Sequence, residues 1–210
     1  NDHQLNYNSN LNRYQYTVKL YNAFIKAFSY LPIGSIVNKT TFCIHGGLSP
    51  KLQKVDDLDC IFRPINSFEE NMLFTDILWS DPSTAHSCPY HPSNRGYGYL
   101  FNENSVTKFL KDNRLKRIIR AHQFVQNGIS EHFGKKCITV FSASSYSYDL
   151  GNQSAILRIN RRDDSIQYIF FTPIHRLHKR KALYYKEVQR KHICYSTSNL
   201  NPVPKEKYQK

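Results

Sequence analysis

The fold class this sequence predicts is α+β, on three observations. One stretch carries apolar residues at helical spacing and is closed by a proline; two short β-prone runs each deliver a histidine just past their ends; and two later strand-like runs are joined by a polar turn.

The helical stretch comes first. Val18, Tyr21, Phe24, Ile25, Phe28 and Leu31 recur every three or four residues, which predicts a helix burying one face, and Pro32 ends it. Thr41 to Ile44 reads as a strand running straight into His45-Gly46-Gly47, a tight loop. A second helix is predicted from Ser105 to Lys111, capped by Asn104 or Ser105, with Val106, Phe109 and Leu110 facing inward. Arg117 to Arg120 reads as another strand, with His122 just beyond it. Further strands are expected at Ile138 to Phe141, Ser154 to Ile159 and Ser165 to Phe171, the last two joined by the turn Asn160 to Asp164. Past Pro173 the chain turns to Lys, Arg, His and Tyr, which sets the end of the core.

At 210 residues there is room for one domain with a real core and not for two large ones. A hydrophobic content of 40% with 14% aromatic residues suits a folded chain and excludes an intrinsically disordered one. No apolar run reaches 18 residues and no signal-peptide pattern opens the chain, so neither membrane insertion nor secretion is expected. Five scattered cysteines without a C-x-x-C pair fit a reducing cytoplasmic or nuclear location. The N-x-[ST] triplets at Asn38 and Asn152 read as chance occurrences. The polar opening Asn1 to Asn12, lacking a starting Met, reads as a processed or truncated start.

The net charge of +13 is uneven, because ten Lys and Arg against two acids put +8 between His175 and Lys210. That tail reads as a solvated extension; binding of an acidic partner is the alternative, and nucleic acid is not the expected partner, since no nucleic-acid-binding module accompanies it. The organisation is thus a polar remnant at 1–16, a core at 17–174 and a basic tail at 175–210.

Four features carry chemistry. His45, delivered by a strand and followed by two glycines that permit close backbone approach, is placed as a metal ligand, and His122 repeats the pattern. Taken singly, each reads more readily as a hydrogen-bonded structural histidine. Arg95, in the loop Arg95-Gly96, has the planar fork to grip two phosphate oxygens, or it is a surface arginine. Tyr146 brings a phenol past another strand, or fills a core position. The trio His86, Cys88 and His91 lacks the fourth ligand of a closed zinc site and reads as part of a polar connection from Pro82 to Arg95.

From about Thr17 to Ile159 the chain resembles the metal-dependent serine/threonine phosphoprotein phosphatase family, with the calcineurin-like metallophosphoesterase fold. The resemblance rests on Leu31-Pro32, Cys43-Ile44-His45-Gly46-Gly47-Leu48-Ser49-Pro50, Arg63-Pro64, Leu78-Trp79-Ser80-Asp81-Pro82, Arg95-Gly96, Arg120-Ala121-His122-Gln123 and Phe141-Ser142-Ala143, in the family's order. It implies a central two-sheet β-sandwich flanked by helices, with the N-terminal part of the fold missing.

By that resemblance His45 and His122 bind one of two divalent ions of the manganese, iron or zinc type, and Arg95 holds the substrate phosphate. Tyr146 lines the catalytic cleft, and Asp81 joins the catalytic set from the Trp79-Ser80-Asp81 loop. The implied reaction is hydrolysis of phosphoserine and phosphothreonine in phosphoprotein substrates by a two-metal-activated hydroxide, with a regulatory subunit as a candidate partner. Ser144-Ser145 replace the family's Pro-Asn before the tyrosine, and Ile129-Ser130 replace its Tyr-Glu. The family's carboxylate-bearing motifs G-D-x-H-G, G-D-x-V-D-R-G and G-N-H-E are not intact. Asn1-Asp2-His3-Gln4 is a worn candidate for the last, with His3 as general acid. The isolated chain is therefore expected to be inactive, and a non-catalytic binding module is the alternative.

Overall fold

The structure is a computed structural model that describes residues 17–146 and 151–173. The stretch 1–16 with His3, and the basic tail at 175–210, lie outside the described residues.

Residues 17–28 form helix α1, as the spacing predicts, but the helix closes in a turn at 29–30, ahead of Leu31. Its expected burial is not met. Tyr21, Phe24, Phe28 and Leu31 are all more than half exposed, because no described element packs over that face.

Strand β1 (Gly34–Val37) follows and pairs antiparallel with β2 (Thr41–Ile44) across a turn in which Asn38 and Lys39 take φ of 51° and 61°. Helix α2 (Met72–Trp79) is capped by Asn71, whose side chain accepts from the Phe74 amide. Three short strands come next: β3 (Asp81–Pro82), β4 (Tyr90–Pro92) and β5 (Tyr99–Phe101), arranged β3-β5-β4. The presumed simple connection between Pro82 and Arg95 thus contains a strand. Helix α3 spans Glu103–Asp112, and its cap is Asn102, not Asn104 or Ser105: the Asn102 carboxamide oxygen accepts from the amides of both those residues.

Strands β6 (Arg117–Arg120), β7 (Ile129–His132) and β8 (Cys137–Val140) complete the main sheet, ordered β1-β2-β6-β8-β7. Its centre, β2-β6-β8, is parallel, and the two edges are antiparallel. Fully buried Phe42, Ile118 and Ile138 sit on these central strands, as expected where a parallel sheet is covered on its faces. Phe42 meets Phe109 of α3 with ring centroids 5.5 Å apart, and Val106, Leu110 and Ile77 join the same core.

The last two strands, β9 (Ser154–Ile159) and β10 (Ile166–Phe171), form an antiparallel pair. The Asp164 carboxylate in their turn ties it to the sheet, accepting from Thr40 Oγ1 (2.8 Å), Arg117 Nη2 (2.9 Å) and Lys116 Nζ (3.2 Å). Asn152 just before β9 is fully buried, with its amide donating to two carbonyls, so it is no glycan acceptor in the folded chain. No helix among the described residues is long and apolar enough to cross a membrane.

Candidate active site

Strands β2 and β6 are parallel neighbours with Cys43 opposite Ile119, so the chain leaves both at the same end of the sheet. In parallel sheets the carboxyl ends of the strands are where ligands bind. His45 and His122 emerge there together. The Ala121 amide donates to the His45 carbonyl (2.9 Å), and the imidazole centroids stand 5.1 Å apart with their planes at 67°. His122 adopts φ of 59°, uncommon for a residue with a side chain and held here by its packing. The His122 ring also meets Trp79 edge-on, with centroids 5.4 Å apart.

The two glycines after His45 are required by what lies against them. The Gly46 and Gly47 amides both donate to the Ile77 carbonyl, at 2.9 and 3.0 Å. A Cβ on Gly46 would lie 2.5 Å from that oxygen, and one on Gly47 would lie 2.2 Å from the Phe101 ring. This close approach seats the histidine loop on the end of α2.

Both imidazoles are held neutral. Burial pulls the His45 pKa down, Arg120 adds to that, and Asp81 opposes it. Burial also pulls His122 down to about 4 against the opposing pull of Asp81, with Arg120 and Arg95 helping. At neutral pH both rings therefore carry a lone pair rather than a second proton. The Nε2 atom of His122 is buried and, among the described residues, has no hydrogen-bond partner, a costly state unless a further group completes it. Two neutral imidazoles, one with an unclaimed ring nitrogen, fit two ligand positions of one divalent ion. Among the described residues no three His, Cys, Asp or Glu side chains converge, so these residues do not by themselves supply a ligand set for two ions.

Asp81 is 3% exposed and divides its carboxylate between two guanidinium groups. Arg95 Nε donates to Oδ2 at 2.8 Å, and Arg120 Nη2 donates to Oδ1 at 2.7 Å. Each oxygen of Asp81 is thus engaged by a guanidinium, and the carboxylate ties the two arginines together. Arg95 keeps 41% of its side chain exposed, and among the described residues its two Nη atoms make no hydrogen bond. Among the described residues, Tyr146 makes no hydrogen bond or ring contact with this group. It is 66% exposed and packs edge-on against Phe141, which packs against Phe124.

Sequence reasoning passed over Arg120 except as a letter of the motif. Its only signal was a charged residue closing a strand whose centre is apolar. The His86 and His91 rings stack at 4.0 Å and nearly parallel, and Asn102 donates to the carbonyls of residues 86 to 88. Stacked rings present faces to each other rather than converging nitrogens, and the segment reads as a tethered loop.

Residues 1–126 match the calcineurin-like phosphoesterase family, and the chain belongs to that family. It is 37% identical to the serine/threonine-protein phosphatase PP2A-like PPG1 of Candida albicans over 73% of this chain and 36% of the relative. It is 43% identical to the serine/threonine-protein phosphatase 4 catalytic subunit of Kluyveromyces lactis over 64% of this chain and 43% of that one. Among solved structures it resembles a protein serine/threonine phosphatase from Saccharomyces cerevisiae with similarity to human phosphatase PP5. That match has a TM-score of 0.69 and 26% identity, over 79% of this chain and 54% of the other. The chain thus spans less than half the length of the curated relatives it matches.

Proposed function

We propose that this chain is part of a serine/threonine protein phosphatase that hydrolyses phosphoserine and phosphothreonine, with His45 and His122 holding a divalent ion and Arg95 gripping the phosphate. The observation that carries the reading is the pair of proton-poor imidazoles at one sheet end, with His122 Nε2 buried and unclaimed beside the Arg95-Asp81 pair.

In this reading Arg95 donates through its two Nη groups to two phosphate oxygens while Nε stays on Asp81, so the grip is oriented before substrate arrives. Its charge counters the negative charge gathering on those oxygens as the leaving alkoxide departs. His45 and His122, kept neutral by burial, would offer their lone pairs as ligands to the ion. When bound, a pair of divalent ions of the manganese, iron or zinc type supplies activation of water and neutralisation of phosphate charge. The carboxylates such ions need, and the acid that protonates the leaving group, for which His3 is the candidate, come from outside the described residues. Tyr146 lines the approach to the cleft. Phosphoproteins are the substrates in a cytoplasmic or nuclear setting. A regulatory subunit is the partner, since several relatives are named catalytic subunits. The basic tail at 175–210 offers charge to an acidic surface.

The test is titration of the 210-residue chain with Mn²⁺ while observing its imidazole resonances. Broadening of His45 and His122 ahead of His86 and His91, abolished by His122→Ala, is the expected result. Equal broadening of all four histidines overturns the ligand assignment and leaves a non-catalytic binding role for the domain. In a phosphatase assay the isolated chain is expected to be inactive or nearly so, and robust metal-dependent turnover would refute the need for groups from elsewhere.

A further inference from the structure

We infer that Arg120 is a positioning residue for phosphate binding, setting the orientation of Arg95 through Asp81. The inference rests on the phosphatase reading above.

Arg120 ends a central strand and is the largest fully buried side chain of the described residues. A guanidinium taken wholly out of water is costly unless each of its donors is matched. Here the matching is extensive and spread over three segments. Nε donates to the Gly46 carbonyl at 2.6 Å, in the loop that follows His45. Nη2 donates to the Ser80 carbonyl at 3.2 Å and to Asp81 Oδ1 at 2.7 Å, at the start of β3. Nη1 donates to Gln123 Oε1 at 3.0 Å, just past His122.

Stability alone does not call for this arrangement. A methionine would fill much of the same volume, and apolar replacements of buried ion pairs are often neutral or stabilising. What the guanidinium adds is geometry. Its planar fork fixes the Asp81 carboxylate with Oδ1 occupied and Oδ2 turned to Arg95 Nε. Arg95 is long and partly exposed, so without that anchor its guanidinium would sample many orientations, and phosphate would have to order it on binding. The contacts run from Arg120 to Asp81 to Arg95, and only the last faces a ligand. A lysine at 120 keeps the charge and loses the fork.

The experiment is titration of the full 210-residue chain with inorganic phosphate, followed on the Arg95 Nε–H resonance, alongside thermal unfolding of every variant. Arg120→Lys should weaken phosphate about tenfold, the cost of one misplaced charge-assisted hydrogen bond. Asp81→Asn should weaken it to a similar degree. Asp81→Asn with Arg120→Met, which leaves no unpaired buried charge, should bind phosphate like Asp81→Asn alone, because the arginine acts through the carboxylate. Ile118→Val, on the same strand, should lower Tm and leave phosphate affinity unchanged. A normal phosphate affinity in Arg120→Lys overturns the inference, as does a further loss on adding Arg120→Met to Asp81→Asn. That second comparison decides the matter even if Arg120→Lys does not fold. If Arg95→Ala binds phosphate as well as the unmodified chain, the phosphatase reading itself falls and the inference with it.

Discussion

Adding one methyl group at Gly46 tests how tightly the histidine loop is seated on α2. The new Cβ would lie 2.5 Å from the Ile77 carbonyl oxygen and 2.6 Å from that of Leu78, both backbone atoms that no rotamer change can move aside. The loop and the end of α2 must separate, straining or breaking the 2.9 Å bond from the Gly46 amide to Ile77. Overpacking of this kind costs about 1–3 kcal/mol, and a lost backbone hydrogen bond about 1 kcal/mol more. Gly46 does not have a positive φ, so alanine also stiffens the unfolded chain and returns about 0.4–1 kcal/mol. The net expectation for Gly46→Ala is a loss of about 2–3 kcal/mol, or roughly 5–10 °C in Tm for a domain of this size. The sole tryptophan, Trp79, sits beside His122, so its fluorescence in urea reports unfolding from inside the site. Gly96→Ala is the contrast. Nothing lies within 4 Å of its added Cβ, but φ is 84°, so the cost is backbone strain of about 1 kcal/mol. A loss below 1 kcal/mol for Gly46→Ala, or one no larger than for Gly96→Ala, would refute the close approach as the reason for the glycine.

Asn102→Ala removes the cap of α3 together with the donor to the carbonyls of residues 86 to 88; a loss of about 2 kcal/mol is expected in urea unfolding, above that of an ordinary exposed cap. Burial pushes the Asp164 carboxyl upward, but Thr40, Lys116 and Arg117 outweigh it and hold the group at about 2. A carboxylate depressed on folding stabilises above its unfolded pKa and loses that contribution as pH falls from about 4 toward 2. The stability gap between the unmodified chain and Asp164→Asn should therefore shrink across that window, and a gap constant from pH 6 to 2 would refute the assignment. Burial pushes the Cys137 thiol up to about 12, so iodoacetamide at pH 8 should label exposed Cys60 and Cys88 and reach Cys137 only on unfolding, as peptide mapping will show.

The central strands were legible because their apolar runs are short, bounded and independent of neighbours. Thr41–Ile44, Arg117–Arg120 and Ser154–Ile159 were each anticipated with correct bounds. The edge strand Gly34–Val37 was expected only through the resemblance at Leu31-Pro32 and without bounds, since half-exposed Ile36 and Val37 carry no alternation and the strand exists through its pairing with β2. The three strands near the Arg95 loop, two or three residues each, are likewise made by their partners rather than by local pattern. Helix α1 shows the converse failure: periodicity reports which face is apolar, not whether anything covers it. At the site, the motif order pointed to His45, His122, Arg95 and Asp81, and the structure gathers these four. The job of Arg120 stayed hidden because buried charge is visible only once its partners are assembled.

The charges of this cluster argue for what must accompany it. Two guanidinium groups, Arg95 and Arg120, share one carboxylate, and both imidazoles are proton-poor. The described cluster is therefore net positive and suited to an anion. Cations brought to His45 and His122 would meet that positive field in a partly buried setting, where repulsion is only weakly screened. Neutral imidazoles cannot offset it, and Asp81 is already committed to both arginines. Divalent ions can be held here only if additional carboxylates enter the same space. Their number should exceed what a bare two-histidine site requires, because they must balance the arginines as well as the ions.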